Sequence, residues 1–273
     1  MSAVHPLMAT AASSCHFQTS AHCAFPAPSI NDFYFKPIFT VAGIGITKPE
    51  VLIVLVALLV VAFFWAAFRS PKIVPRGMQN LGELGVLFVR DQILRPQLGK
   101  RGDKWLPFLV SLFFFIWFAN IMGIIPIIAF PPMSKYGIPL ALALMVWLIY
   151  MGLGMRHQGA FGYFKNMAVP AGAPWWILPL LVPIELFSNI LVRPFTLSVR
   201  LFANMLAGHV LLLVFSLATW YLLTVGIGAL YATASFALVI VLTALEVLIQ
   251  ALQAFIFTIL TATYISGAYE TAH

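Results

Sequence analysis

The chain has 273 residues, of which 62% are hydrophobic and only 8% are charged. An ordinary soluble domain has about 25% charged residues, and a soluble fold could not bury this much apolar surface. The composition therefore excludes a typical soluble enzyme. It predicts an all-α integral membrane protein, because about 20 consecutive apolar residues form a helix that crosses the bilayer core. We expect one membrane domain and no second, soluble domain.

The net charge of +7 does not indicate a nucleic-acid partner, because eight of the fifteen Lys and Arg residues fall between Arg69 and Lys104. Basic residues near the ends of membrane spans favour the cytoplasmic side. We therefore interpret the cluster as a topology signal. The expected surroundings are a lipid bilayer, and no nucleic acid is expected to bind.

Residues 1–48 contain scattered prolines and predict an external tail with little regular structure. Cys15 and Cys23 lie there beside His16 and His22, so a metal site or a disulfide is conceivable from residue types alone. Nothing else in the tail supports either, and we expect no metal and no cofactor.

The first 35 residues contain no Lys or Arg and no continuous apolar stretch. They match neither a secretory signal nor an Arg-rich transit peptide. We expect the first span to act as its own insertion signal. This favours the cell membrane of a bacterium, with the mitochondrial inner membrane as the alternative.

The apolar pattern predicts the membrane elements in chain order. They are a first span over 49–69, an interfacial amphipathic helix over 76–98, a second span over 104–130, a third span over 138–155 and a C-terminal tail over 267–273. Arg69 and Arg156 follow the first and third spans, so these ends are expected on the cytoplasmic side. The turn that contains Lys135 is expected outside.

The remaining two apolar stretches cover 174–223 and 225–266. A helix of about 40 residues reaches about 60 Å, roughly twice the hydrocarbon thickness. Each stretch is therefore either two spans or one long, strongly tilted helix. Hydropathy leaves both open, and we find no internal repeat of the kind that marks many secondary transporters.

Polar side chains within these two stretches are the candidate functional residues, because an ionisable group at membrane depth costs from about 3 to more than 10 kcal/mol to bury. They are Glu185, Asn189, Arg193, Arg200, Asn204, His209, Glu246, Gln250 and Gln253.

Helical spacing groups these residues into two stripes. At 100° per residue, the polar residues from Glu185 to Asn204 share a stripe about 100° wide, and His209 falls on another face. On the last helix a second stripe contains Thr243, Glu246, Gln250, Gln253, Thr261 and Tyr264. Two such stripes can line a hydrated path. For Asn189, Gln250 and Thr261, simple hydrogen bonds between helices remain an equal alternative.

Arg200 needs a negative partner. Of the eight Asp and Glu residues, only Glu185 and Glu246 lie at membrane depth, and Glu185 is about 22 Å away along a helix. The partner is either Glu246, brought near by folding, or a carboxylate on another subunit.

His209 and Glu246 could form a proton relay or a static hydrogen-bonded pair.

The run RPFTLSVRLFANMLAGH from Arg193 to His209, and the later run EVLIQALQAFIF from Glu246 to Phe257, resemble the signatures of subunit a of F-type ATP synthases. The resemblance covers roughly residues 50 to 268 and is strongest after Pro183. It implies a non-catalytic, proton-translocating stator subunit of the membrane sector. It also implies that the last two helices form a long tilted hairpin against the ring of c subunits, with subunit b and the rest of the complex as further partners.

The resemblance also implies residue roles. Arg200 matches the arginine that faces the ring carboxylate and separates two aqueous half-channels. His209 and Glu246 match the pair in the half-channel open to the outside, while Glu185 matches an acid near the cytoplasmic half-channel. Asn204 and Gln253 match polar positions near the arginine. In some bacterial members the acid and the histidine are exchanged, and position 203 is often glycine rather than alanine.

Other readings of the residues are a secondary transporter or an ion channel, with Arg200 binding an anionic substrate, and a purely structural anchor. A transporter predicts repeats and broken helices around a central cavity. An anchor gives no reason to place Arg, Glu and His in a bilayer. The coupling ion is expected to be H⁺ rather than Na⁺.

Overall fold

The computed structural model describes residues 39–41, 44–125, 131–168, 176–223 and 229–269. Several predicted features lie wholly or partly outside these ranges. They are most of the N-terminal tail with Cys15 and Cys23, the end of the second span at Phe130, the start of the stretch at 174, the connection 224–228 and residues 270–273.

The described elements are mostly helices. A short antiparallel pair, β1 (Phe39–Val41) and β2 (Ile44–Ile46), precedes them. The helices are α1 (Lys48–Phe68), α2 (Met78–Val89), α3 (Arg95–Leu98), α4 (Leu106–Ile121), α5 (Gly137–Gln158), α6 (Ala160–Ala168), α7 (Leu178–Phe187), α8 (Arg193–Leu223) and α9 (Ala229–Tyr269). Two π-helical segments, Arg90–Leu94 and Ser188–Val192, and two 3₁₀ turns, Gly99–Trp105 and Pro132–Ser134, link or precede some of them.

Five helical runs among the described residues are long and apolar enough to cross a membrane. They are Lys48–Phe68, Met78–Ile121, Gly137–Gln158, Leu178–Trp220 and Leu230–Tyr269. The predicted all-α membrane class is therefore confirmed. Each of the two long C-terminal stretches is one helical run, of 43 and 40 residues respectively, rather than two separate spans.

The predicted interfacial helix corresponds to α2, the first π-helical segment and α3, which the 3₁₀ turn joins to α4. Gly99 adopts a φ of 58° where α3 ends, a left-handed conformation that glycine allows at little cost. The outer side of α2 exposes large apolar side chains, among them Leu81, Leu84 and Leu87. That this helix lies in the membrane interface stays a prediction.

Both π-helical segments end two residues before a proline, Pro96 in one case and Pro194 in the other. Proline lacks the N–H that would donate to the carbonyl four residues earlier, so the helix there widens or bends. The 100° projection over residues 185–204 assumed an uninterrupted α-helix. The π-helical segment Ser188–Val192 changes the angular relation between Glu185 and the residues after it.

Glycines let the first helices pack closely. A methyl group on Gly82 would lie 2.9 Å from the Cβ of Ala67 in α1, and one on Gly85 would collide with the Phe114 ring in α4. Phe63 stacks on Phe114 with ring centroids 5.9 Å apart. These contacts hold α1, α2 and α4 together as one layer of the apolar core.

A polar contact joins the start of α1 to the loop before α5. The Thr47 N–H donates to Glu50 Oε2 at 2.7 Å, and Lys135 Nζ donates to Glu50 Oε1 at 2.5 Å and to Thr47 Oγ1 at 3.2 Å. The charged pair is partly exposed, so it fixes geometry more than it adds stability.

The last turn of α9 is attached to the neighbouring elements. Tyr269 accepts a hydrogen bond from Trp105 Nε1 at 3.1 Å, and its ring lies under Lys104 Nζ and beside the His157 ring. Ser266 Oγ donates to the Gln97 carbonyl at 2.7 Å. These contacts set the position of the C-terminal half of α9 along its own axis.

The chain divides into two compact units. The large unit contains Phe35–Leu206 and Val247–His273, and the described part of the small unit is 207–223 and 229–246. The apolar core of the large unit includes Leu197, Leu201 and Met205 of α8 and Phe257 of α9.

Candidate functional site

Arg200 lies near the middle of the 43-residue run Leu178–Trp220, and its side chain is exposed. Thr196 and Ala203, one turn before and after it, are exposed as well. Leu197 and Leu201 point into the core instead, with exposed fractions of 2% and 0%. The guanidinium therefore occupies a surface of α8 with small neighbours, at a depth where an unpaired charge is costly.

The charge of Arg200 is not balanced within the described part of the large unit. Each of the five carboxylates described there has another polar partner, in the pairs Glu50 with Lys135, Glu83 with Gln79, Asp91 with Arg95, Asp103 with Arg90, and Glu185 with Asn189. None of the ion pairs in this part of the chain includes Arg200.

Asn204 and Gln253 form a direct contact between α8 and α9. Asn204 Nδ2 donates to Gln253 Oε1 at 2.8 Å. Gln253 is 2% exposed, and its Nε2 has no hydrogen-bond partner among the described residues. A buried amide with an unused donor is suited to hold a water molecule or a passing proton carrier.

Most of the polar stripe of α9 is buried, while Thr243 and Tyr264 at its two ends are partly exposed. Gln250, Thr258 and Thr261 have an exposed fraction of 0%. The two threonines donate to carbonyls of their own helix, at 2.8 Å each, so they are satisfied without a partner helix. Thr258 was missed from sequence, because its projected angle lies about 60° outside the stripe. For Thr261, the bond between helices that the sequence left open as an alternative is not seen, because its hydroxyl donates within α9.

The small unit is an antiparallel helix pair. Thr219 Oγ1 of α8 donates to Ser235 Oγ of α9 at 2.9 Å, and Glu246 of α9 lies against Gly208 of α8. The two contacts are eleven residues apart along both helices, which is about three helical turns. They therefore share one face of each helix.

Glu246 and His209 both lie in the small unit and are both buried, at 6% and 7% exposed. Glu246 packs against the residue that precedes His209 in the chain. Both residues make further polar or ring interactions. A buried acid and a buried histidine in one unit are the groups that a proton relay requires.

Gly208 was not singled out from sequence, although it lies within the signature run. A methyl group at this position would stand 2.9 Å from Glu246 Oε1 and 3.2 Å from Glu246 Cδ. The missing side chain thus creates the space that the carboxylate occupies. A glycine between two polar positions of a membrane helix was the available signal.

We expect the substitution Gly208→Val to reduce proton flux strongly and Gly208→Ala to reduce it less, because each added carbon displaces the Glu246 carboxylate. The measurement is ATP-driven acidification of vesicles that contain the assembled complex. Shortening the acid with Glu246→Asp in the Gly208→Ala background should restore part of the flux. The control is Gly152→Ala, since nothing lies within 4 Å of that position. Equal effects at both glycines would contradict the assignment.

Glu185 and Asn189 are brought together at the start of the second π-helical segment. Asn189 Nδ2 donates to Glu185 Oε2 at 3.2 Å and to the Glu185 carbonyl at 2.8 Å. The Asn189 carbonyl accepts from Tyr150 Oη at 3.1 Å. Asn189 is 5% exposed and Glu185 is partly exposed. The buried Asn189 thus holds the partly exposed Glu185 carboxylate in place.

Arg193, one turn after Asn189, lies over the Tyr264 ring at 5.2 Å, and Tyr264 contacts Tyr150 at 5.4 Å between ring centroids. A cationic and aromatic cluster thus lies beside the acid. The described residues contain no group of three or more His, Cys, Asp or Glu side chains that could hold a metal ion.

Comparison with known proteins identifies the family. The family model described as ATP synthase A chain matches residues 51–266. The chain belongs to this family. Among relatives, ATP synthase subunit a of Streptomyces lividans is 45% identical over 264 residues and covers 94% of each chain. Its counterpart in Frankia alni is 46% identical over 250 residues, covering 89% of this chain and 86% of the relative. That of Hyphomonas neptunium is 42% identical over 234 residues, covering 84% and 90%.

Family membership fixes the general role. Subunit a is a non-catalytic subunit of the proton-translocating membrane sector of ATP synthase, and this chain is a member of that subunit family. With five membrane-length helices and bacterial relatives, it is a multi-pass membrane protein of bacterial type.

Proposed function

We propose that this chain is the stator subunit that provides two aqueous half-channels to the carboxylates of a rotating c-ring, and so couples proton flow to ATP synthesis. The observation that carries the proposal is Arg200. Its guanidinium is exposed near the middle of a membrane-length helix, and every carboxylate described in its unit has another partner. Such a charge requires an anion from outside this unit, and a ring carboxylate supplies one.

The proposed path from outside begins at His209 and Glu246, which pass a proton to an ionised ring carboxylate. The neutral carboxyl group then moves into lipid as the ring turns. After nearly a full turn it reaches the second half-channel, beside Glu185 and Asn189, and releases its proton towards the cytoplasm. Asn204, Gln250 and Gln253 line the region near the arginine and hold water or orient the carboxylate.

Arg200 performs two functions in this mechanism. Its fixed positive charge favours the ionised form of the ring carboxylate at the interface, and it repels a proton that would pass directly between the half-channels. Two charges 4 Å apart interact by about 4 kcal/mol at an effective dielectric constant of 20. Each proton that crosses 100 mV releases about 2.3 kcal/mol, which the ring converts to torque.

The proposed location is the bacterial cell membrane. The proposed partners are the c-ring, subunit b of the peripheral stalk and the rest of the ATP synthase. The proposed coupling ion is H⁺, because the polar residues here are a relay of acid, histidine and amides.

The contact with the ring can be tested by photo-crosslinking in the assembled complex. A photoreactive phenylalanine analogue replaces Thr196, which is exposed one turn from Arg200 and bonds only to carbonyls of its own helix. We expect a product with the ring subunit. The control is the same analogue at Leu58 of α1, which is 63% exposed and should not reach the ring. Ring products at both positions, or only at Leu58, would contradict the proposal.

A further inference from the structure

The loop between α1 and α2, residues 69–77, is a basic surface that the proton path does not use. Arg69, Lys72 and Arg76 are all exposed. No acidic residue occurs between Arg69 and Gly82. The loop begins where the apolar helix α1 ends. Because 21 residues are enough to cross the bilayer core, we expect the loop at the level where headgroups meet acyl chains.

Apolar side chains project from the same loop. Ile73 is 103% exposed and Val74 is 65% exposed. Trp65, one turn before the loop, is 62% exposed. The centroid of its ring lies 4.9 Å from the guanidinium carbon of Arg69. Tryptophan beside an arginine at a helix end is an arrangement typical of the membrane interface. A soluble anion would contact only the cations and leave the apolar groups in water.

The loop is held in one conformation by Gln79, a buried residue of α2. Its Oε1 accepts from the Lys72 N–H at 3.0 Å, and its Nε2 donates to the Lys72 carbonyl at 2.9 Å. The same Nε2 donates to Glu83 Oε1 at 2.7 Å. Glu83, the first acidic residue after the loop in the sequence, is thereby hydrogen-bonded to Gln79. Gln79 fixes the Lys72 backbone on both sides, so the cation and Ile73 are presented together.

We propose that the α1–α2 loop, residues 69–77, is a binding site for the headgroup of an anionic phospholipid. Lys72 and Arg76 contact the phosphate, while Ile73, Val74 and Trp65 contact the first part of the acyl chains. Arginine matches phosphate oxygens through paired N–H donors. Charge complementarity selects the anionic lipid over a zwitterionic one, and the exposed apolar side chains select a lipid over a soluble anion.

The test measures which lipid lies next to Trp65. The full chain is reconstituted in bilayers that mix phosphatidylglycerol and phosphatidylcholine, with one of the two brominated on its acyl chains to quench nearby tryptophan fluorescence. The Trp65 signal is the difference between each variant and the same variant carrying Trp65→Phe. Each basic residue near an anionic surface contributes a factor of about five. We expect several-fold selectivity for phosphatidylglycerol that weakens at high salt.

Four variants decide the outcome. Lys72→Gln with Arg76→Gln should bring the selectivity close to that of a neutral surface. Gln79→Leu keeps both cations but releases the loop, and should lower the selectivity as well. The matched control is Arg156→Gln with Lys165→Gln, which removes the same charge from other exposed positions and should leave the Trp65 signal unchanged. Lys72→Gln alone should give an intermediate value, and circular dichroism checks that each variant is helical.

Four results would overturn the proposal. Unchanged selectivity after Lys72→Gln with Arg76→Gln would exclude phosphate binding by the loop. An equal loss in the control pair would show that only the diffuse surface charge acts, and unchanged selectivity in Gln79→Leu would show that no built site exists. If the lipid signal stays constant while the purified complex loses a subunit, the loop docks a protein and the lipid proposal fails.

Discussion

Replacing Arg200 with alanine is expected to abolish ATP-driven proton pumping, with a loss of at least about 100-fold. In the proposed mechanism the guanidinium favours the ionised ring carboxylate and blocks direct proton passage. Without it, protonated carboxyl groups pass the interface without release, and the barrier between the half-channels falls. The measurements are acidification of vesicles that contain the complex, and passive proton leak after the catalytic head is removed. Pumping should be lost, and the leak should rise.

Arg200→Lys is the informative companion variant, because it keeps the charge but removes the planar array of donors. It should pump less than wild type, and its leak should rise less than that of Arg200→Ala. Arg193→Ala provides a second arginine substitution on the same helix, at a residue that lies over Tyr264. It should keep most of the pumping. Pumping by Arg200→Ala at wild-type rates, with normal assembly, would refute the role of Arg200 as the gate.

Glu246→Gln is expected to reduce pumping by about 10² to 10⁴-fold, the range that a positioned proton donor or acceptor contributes. The amide keeps the size of the side chain but cannot accept and release a proton. Glu246 is buried against Gly208, so water has limited space to replace it. Glu246→Asp keeps the acid and should retain measurable pumping. A Glu246→Gln variant that pumps normally would favour the static hydrogen-bonded pair instead.

The double variant Arg200→Ala with Glu246→Gln separates the two roles. If Arg200 blocks passage between half-channels and Glu246 lies within one of them, the leak opened by Arg200→Ala must pass the residue at 246. The double variant should therefore leak less than Arg200→Ala alone. An undiminished leak would mean that protons bypass Glu246, and the acid would then lie outside the path.

The two π-helical segments show where a sequence projection fails. Equal steps of 100° placed Glu185, Asn189 and Arg200 in one stripe. The structure keeps Glu185 and Asn189 in contact at 3.2 Å, because both precede most of the π-helical segment Ser188–Val192. Residues beyond it are rotated relative to the ideal projection. Pro194 indicated from sequence that the helix would depart from regular α-helical geometry near this point. The sequence alone did not determine whether the helix would kink, break or widen.

Sequence alone determined the membrane class, the helical content and the family signature. It also identified the polar residues of the two long C-terminal helices. These follow from local properties, since the length of an apolar run and the cost of a buried charge do not depend on distant contacts. Three features were decided only by tertiary structure. They are the space that Gly208 leaves for Glu246, the hydrogen bond from Asn204 to Gln253, and the pairing of the carboxylates of the large unit. Each carboxylate described in that unit has a polar partner other than Arg200. Each feature depends on which residues of separate segments meet, and helical periodicity defines faces without specifying what those faces contact.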